Sequence, residues 1–331
     1  MPWPRKTDNR PFQTVELVFA GVIPIILIII GTMGNFLCIF CILCRQRRRG
    51  RSTYIYFIFL FLSDTLSLYQ WNLNYIIMEF NDRIQLSDQS LFLCRSIAFL
   101  SFYTLHLSAL FLTLIAIDRT LILRSKFYRT HMTKRHHALI ISIVIILLLF
   151  LLDGFLLSLG VRDERTDQIV CYQSFNTNIM FFYDKIYPWI HLVVMYITPF
   201  VIMTLGIVLI IIKLYNRRIN LQSNHQKQRL CFMLIGMCAV YMMLTLPNRL
   251  CFSVFFSRIS NQEYGDIILL GSNTLLYTRN ATNVFFLYLG SSTFRKQLAK
   301  FYSCFHCSMP QCSNRIIPVQ LFHCETKSDL S

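Results

Sequence analysis

The chain is 331 residues long, 55% hydrophobic and 15% charged, with a formal net charge of +16 and a mean hydropathy of +0.50. So large an apolar share with so little charge excludes an ordinary soluble domain. The charges fall in short runs between long apolar blocks, which is the pattern of a chain crossing lipid several times, and no water-exposed stretch alternates basic and aromatic residues as a nucleic-acid binder would.

The chain opens with a short polar segment, 1–16, containing Pro2, Pro4 and Pro11. The apolar run after it is too long for a signal-peptide core and ends in arginines without a small-residue cleavage site, so the first helix is expected to direct its own insertion. Seven apolar segments follow, each long enough for ~30 Å of hydrocarbon. They are Leu17–Cys44, Thr53–Ile77, Leu93–Leu123, Ala138–Leu159, Ile186–Leu214, Leu230–Phe256 and Ile267–Tyr288. The second and seventh are the most polar. The expected fold is therefore all-α, a seven-transmembrane helix bundle over 17–290. A short amphipathic surface helix over 291–303 and a cytoplasmic tail over 304–331 complete the domain plan.

The loops give an orientation. Arg45, Arg47, Arg48, Arg49 and Arg51 follow segment one, Arg124, Lys126, Arg129, Lys134 and Arg135 follow segment three, and Arg217, Arg218, Lys227 and Arg229 follow segment five. With seven crossings all of these lie on one face, together with Arg295, Lys296 and Lys300. The other face carries Asp8, Glu16, Glu79, Asp82, Asp88, Asp163, Glu164, Asp167, Asp184, Glu263 and Asp266. The positive-inside rule makes the basic face cytoplasmic and the N-terminus extracellular. After segment seven, Phe294, Leu298, Phe301 and Tyr302 share a helical face bordered by Arg295, Lys296 and Lys300, as in a helix lying on the inner membrane surface. Cys304 and Cys307 come next and are candidate lipidation sites.

Of the 12 cysteines, Cys94 and Cys171 are the two on the oxidising face, so a bridge between them needs no choice among partners. Asp118 and Arg119 follow Cys94 on the same helix, at a distance of ~37 Å given 1.5 Å per residue. The third helix thus has a tether at its outer edge and a charged pair at its inner edge. Arg119 is either a membrane-edge anchor or a switch that Asp118 holds in one state and releases in another.

These features together resemble a rhodopsin-like (class A) G-protein-coupled receptor. The resemblance spans Val15 to about Tyr302. It rests on Gly34-Asn35, on Leu62-Ser63-Asp64, on Cys94 with Cys171, and on Asp118-Arg119-Thr120 in place of the family's D-R-Y. Pro199, Pro247 and the Phe285–Tyr288 ending before the surface helix complete it. Thr120 replaces a tyrosine, no tryptophan precedes Pro247, and helix seven lacks the N-P-x-x-Y proline. The helix-six and helix-seven departures loosely resemble invertebrate FMRFamide-like neuropeptide receptors.

The resemblance implies a plasma-membrane receptor, no enzyme, that passes ligand binding outside to a heterotrimeric G protein inside. Asp118, Arg119, Thr120, Phe127, Pro247 and Tyr288 would serve coupling and switching. Asp64, Ser108 and Asn280 resemble the family's sodium pocket, with a polar network lacking an ion as the alternative, and no other cofactor is implied. Tyr288 aligns with the family's tyrosine through the F-F-L-Y ending. That puts Val284 where an asparagine is expected and leaves Asn283 one position off.

The outer thirds of the helices carry Trp71, Tyr75, Ser101, His191, Arg249 and Tyr277, read as the ligand-binding set. An arginine inside a helix, such as Arg249 or Arg279, needs a cavity or an anion. Ser101 stands where amine receptors carry an aspartate, and Thr278, or Tyr277 in the other register, stands in place of the opsin lysine. The resemblance thus argues against amine and retinal ligands. Acidic outer loops favour a cationic ligand, and a short basic peptide fits best. A non-peptide chemosensory ligand and a seven-helix transporter or channel are the alternatives, although no repeat is visible and Asp64 and Asp153 are the only acids well inside helices. His106, His136, His137 and His191 are not expected to converge with acids.

Overall fold

The computed structural model describes residues 13–46, 52–81, 84–163, 167–219, 225–259, 261–262, 264–291, 294–296 and 298–299. Its long helical stretches follow the apolar segments. Stretch α1 is 13–46, with a wide π-type turn at Leu17–Val22 before the regular helix Ile23–Gln46. Helix α2 is Ser52–Phe80 and α3 is Leu91–Arg124. Helix α4 is Arg135–Asp153, tightened into a 3-10 turn over Gly154–Ser158. Stretch α5 is 177–219, with wide turns at Phe182–Ile186 and Val193–Ile197. Helix α6 is His225–Arg249, continued by a wide turn at Leu250–Val254. Stretch α7 is 265–290, made of Gly265–Ala281 and Asn283–Gly290.

Caps explain two boundaries. The Ser90 hydroxyl accepts from the Leu93 amide and starts α3 two residues before the expected Leu93. The Asn176 side chain accepts from the amides of Asn178 and Ile179, so α5 begins at 177, well before the expected Ile186. Between α4 and α5 the connecting loop forms a two-stranded antiparallel hairpin, β1 (Val161–Arg162) and β2 (Ile169–Val170). Gly160, at φ +107°, enters it in a conformation that side chains resist.

The bundle is inverted relative to a soluble core. Ile29, Ile30, Met33 and Phe36 of α1 and Ile143, Leu147, Leu148 and Leu151 of α4 face outward. Asn35, Asp64, Ser67, Asn72, Asn74, His106, Ser108, Asp153, Asn280 and Asn283 are buried between helices. Only a surrounding apolar solvent makes that arrangement favourable. Among the described residues, five helical stretches are long and apolar enough to cross a membrane by length and composition alone. Helix α2 and the two-piece α7 are not among them, in keeping with the polar residues in their sequences. Helix α3 lies at the centre, packed against α2, α4 and α5, while α7 packs against α6, α1 and α2.

Stretch α7 breaks at Thr282 without a proline. The Thr282 amide bonds back to the Arg279 carbonyl at 3.2 Å. The Asn280 carbonyl then accepts from the side chains of Asn35 and Asn283, each at 3.2 Å. Beyond Gly290, Ser291 caps a short helical continuation through the Phe294 amide at 3.2 Å. There Phe294 is buried and Leu298 packs on the core, while Arg295 donates to the carbonyls of Tyr288 and Leu289. Phe301, Tyr302, Cys304 and Cys307 lie outside the described residues.

Candidate functional site

A cavity of about 480 Å³ opens between α2, α3, α5, α6 and α7. Trp71, Tyr75, Ser101, His191, Arg249 and Tyr277, the six residues read from sequence as ligand contacts, all line it. Leu105, Phe102, Tyr187, Phe252 and Leu276 add apolar and aromatic wall, and Asp184 and Trp189 also line it. The Cys94–Cys171 disulfide joins the α4–α5 loop to the head of α3, with Cα atoms 5.7 Å apart. The next residue, Tyr172, stacks its ring on the cavity-lining Trp71 at 6.1 Å and 3°. Two further polar side chains of α2 and α3 are not among its lining residues. Tyr69 is 40% exposed and pairs with Thr32, and Arg95 reaches the Gly160 carbonyl.

A continuous hydrogen-bonded chain passes through this cavity. Arg249 Nη1 meets His191 Nε2, His191 Nδ1 meets His106 Nε2 at 2.7 Å, and His106 Nδ1 meets Asp153 Oδ2 at 2.8 Å. The Tyr187 hydroxyl donates to Asp153 Oδ1 at 2.8 Å. In the other direction Arg249 Nη2 donates to Asn248 Oδ1, Asn248 Nδ2 donates to Asn273 Oδ1 at 2.7 Å, and Asn273 Nδ2 donates to the Tyr75 hydroxyl at 2.8 Å. The two ends fix the direction of every bond. A guanidinium only donates and a carboxylate only accepts, so the arrangement puts a hydrogen on Nδ1 of each histidine, directed toward Asp153. One ordered chain of donors therefore links six helices, with the positive charge in the cavity and the negative charge at the α3–α4 contact. Arg249 is buried and keeps its Nε without a hydrogen-bond partner.

Sequence reading missed half of this chain. His106 meets an acid directly and His191 meets it through His106, with no motif spacing between them, through contacts separated by 47, 85 and 58 residues. The one signal available was Asp153, a carboxylate inside an otherwise apolar helix.

Deeper in the bundle, Asp64 is 3% exposed. Its Oδ1 accepts from Ser108 Oγ at 2.5 Å and its Oδ2 from Asn283 Nδ2 at 2.6 Å. Asn280 turns away and donates to Ser67 Oγ. The register of α7 is therefore the one that puts Asn283, not Val284, opposite Asp64. Leu287 is accordingly buried, whereas Tyr288 is 46% exposed with Arg295 6.0 Å from its ring. The F-F-L-Y alignment of Tyr288 with the inward-facing family tyrosine is one residue out, and Tyr277, not Thr278, takes the place of the opsin lysine.

At the opposite end of α3 from Cys94, Asp118 accepts from the Ser52 hydroxyl at 3.0 Å, from the Thr53 hydroxyl and from the Tyr128 hydroxyl at 3.1 Å. Burial and the neighbouring carboxylate of Asp118 hold the Tyr128 phenol above its ordinary range. Arg119 is half-buried beside it. Thr120 bonds the Ala116 carbonyl at 2.8 Å and lies against Gly206 of α5. Phe127 is 67% exposed and stacks on His131 at 4.6 Å. Pro247 sits inside α6, one turn before its wide segment.

Residues 34–286 match the family model described as 7 transmembrane receptor (rhodopsin family). Among curated proteins, chemerin-like receptor 2 of Mus musculus is 25% identical over 214 residues. That match covers 62% of this chain and 58% of that receptor, so the chain spans less than two thirds of the relative's length.

Proposed function

We propose, for a chain that belongs to the rhodopsin family of seven-transmembrane receptors, that it is a plasma-membrane receptor for a short peptide. Membership sets aside the transporter, channel and enzyme readings, and it carries with it an extracellular ligand and a G protein. One observation carries the peptide. The cavity of about 480 Å³ is walled by aromatic and apolar side chains, and within it the Arg249 guanidinium is held by hydrogen bonds on two sides. Such a cavity suits an elongated ligand with apolar side chains and a carboxylate or amide carbonyl end. Asp184 and the acids of the outer loops suit basic residues near that ligand's other end. The loose sequence similarity to FMRFamide-like receptors agrees with a short, amidated neuropeptide.

In this reading the N-terminus is extracellular and the C-terminus cytoplasmic, as the distribution of basic loops argues. Ligand binding favours a state in which the inner end of α6 swings outward, with Pro247 and the wide turn beside it as the weak point of the helix. The opened inner face, with Arg119 at its floor and Phe127 at its rim, receives the G protein. The test is a peptide-library screen in cells carrying G-protein biosensors, repeated with Arg249→Gln. Activation by short peptides is expected, with potency reduced ~10- to 100-fold in the variant, as for loss of a charged hydrogen-bond partner. Activation by neutral lipids alone, or unchanged potency in Arg249→Gln, refutes the peptide reading.

A further inference from the structure

The Asp64 carboxylate needs a counter-charge, because two neutral donors do not neutralise an ion buried at 3% exposure. The resemblance to the family's sodium pocket would supply it with an ion bound by Asp64, Ser108 and Asn280. The residues do not fit that ion. The cavity beside Asp64 is about 20 Å³, room for roughly one water. Ser108 donates its hydroxyl hydrogen to Asp64 and Asn280 donates its amide nitrogen to Ser67, with Asn280 Oδ1 left without a partner, so oxygen lone pairs remain and the misfit lies in the charge that shares the cavity. The same cavity is lined by Arg279. A sodium ion there would meet a guanidinium that is already fixed in place.

Arg279 in turn needs an anion. It is 5% exposed, and its Nε and Nη2 have no hydrogen-bond partner. Its guanidinium lies over the Tyr241 ring at 4.6 Å, a contact that holds the head group in the bundle. Asp64 and Arg279 are the two charged residues lining this cavity. One water between them would accept from the guanidinium and donate to Asp64 and to the spare oxygen of Asn280.

We infer that Arg279 is the resident counter-ion of Asp64, so that this bundle carries its core cation on its own chain and excludes sodium from the site. The cation is then a fixed link between α2 and α7 and does not follow the salt outside the cell. The inference goes beyond the ligand reading and needs no ligand for its test.

The test is thermal unfolding of the purified full-length chain in chloride salts of sodium, potassium or N-methylglucamine at constant ionic strength. The wild type is expected to show no sodium-specific shift. Arg279→Asn, which removes the cation and offers an amide oxygen, is expected to gain a saturable sodium-specific rise of ~2 °C or more. A sodium-specific rise in the wild type that Asp64→Asn abolishes overturns the inference, and no variant need fold well for the wild-type titration to be read. An Arg279→Asn protein that folds but gains no sodium response also counts against it. The double change Asp64→Asn with Arg279→Gln should lower the midpoint by less than the sum of the single changes, and additive losses refute the pairing.

Discussion

Asp153 anchors the chain that ends on Arg249, so replacing it should weaken the bundle in a graded way. The carboxylate is fully buried and accepts two hydrogen bonds, from His106 Nδ1 and from the Tyr187 hydroxyl, each at 2.8 Å. Asp153→Ala strands both donors, and each buried orphan costs about 1–3 kcal/mol, so a loss of roughly 2–6 kcal/mol is expected. Asp153→Asn has a way out. Its amide oxygen accepts from His106, its amide nitrogen donates to the Tyr187 oxygen, and the phenol rotates to suit. What is lost is the difference between charged and neutral hydrogen bonds, about 1 kcal/mol each. The assay is the unfolding midpoint of the solubilised protein followed by a thiol-reactive or intrinsic fluorescence signal. Because a membrane bundle need not unfold in two states, the order of midpoints is the readout. Wild type above Asp153→Asn above Asp153→Ala is expected. An alanine variant as stable as the asparagine variant would show that the two bonds contribute little and would refute the reasoning.

Cys171→Ser should lower surface expression and stability, since the bridge closes a loop with a sequence separation of 77, worth about 4 kcal/mol in the chain-entropy account; ligand-independent antibody staining of intact cells checks it. Arg119→Ala should abolish most G-protein activation while surface staining persists, and unchanged coupling would remove Arg119 from the switch. Gly290→Ala should push α7 from α6, because the new Cβ would meet Met233 Cβ at 2.4 Å. Raised basal signalling in a biosensor assay is the expected outcome, and a wild-type baseline with normal expression refutes it. Tyr128→Phe deletes one hydroxyl bond to Asp118, and a midpoint loss equivalent to about 1 kcal/mol is expected.

Much of the architecture was legible because it is written in local pattern. Seven apolar blocks give seven helices, Cys94 and Cys171 are partners by elimination, and Asp118-Arg119 falls at the opposite end of α3 from Cys94 by counting residues. The cavity-lining set was legible too, since Trp71, Tyr75, His191, Arg249 and Tyr277 are polar or aromatic side chains inside helices that lipid would otherwise reject. The rotation of α7 was not. One residue turns a helix by about 100°, and a segment flanked by apolar residues on all sides does not say which face looks inward. The contact between Asn283 and Asp64 settles it, turning Tyr288 outward and Arg279 toward the buried carboxylate. The Asp153–His106–His191–Arg249 chain was hidden for a related reason: its members stand alone in α4, α3, α5 and α6. By itself the sequence determined which helices form and which residues lipid cannot accept. Only the packing of the helices decided which of those residues meet, because a buried charge is satisfied by whatever neighbouring helices bring to it, not by its neighbours along the chain.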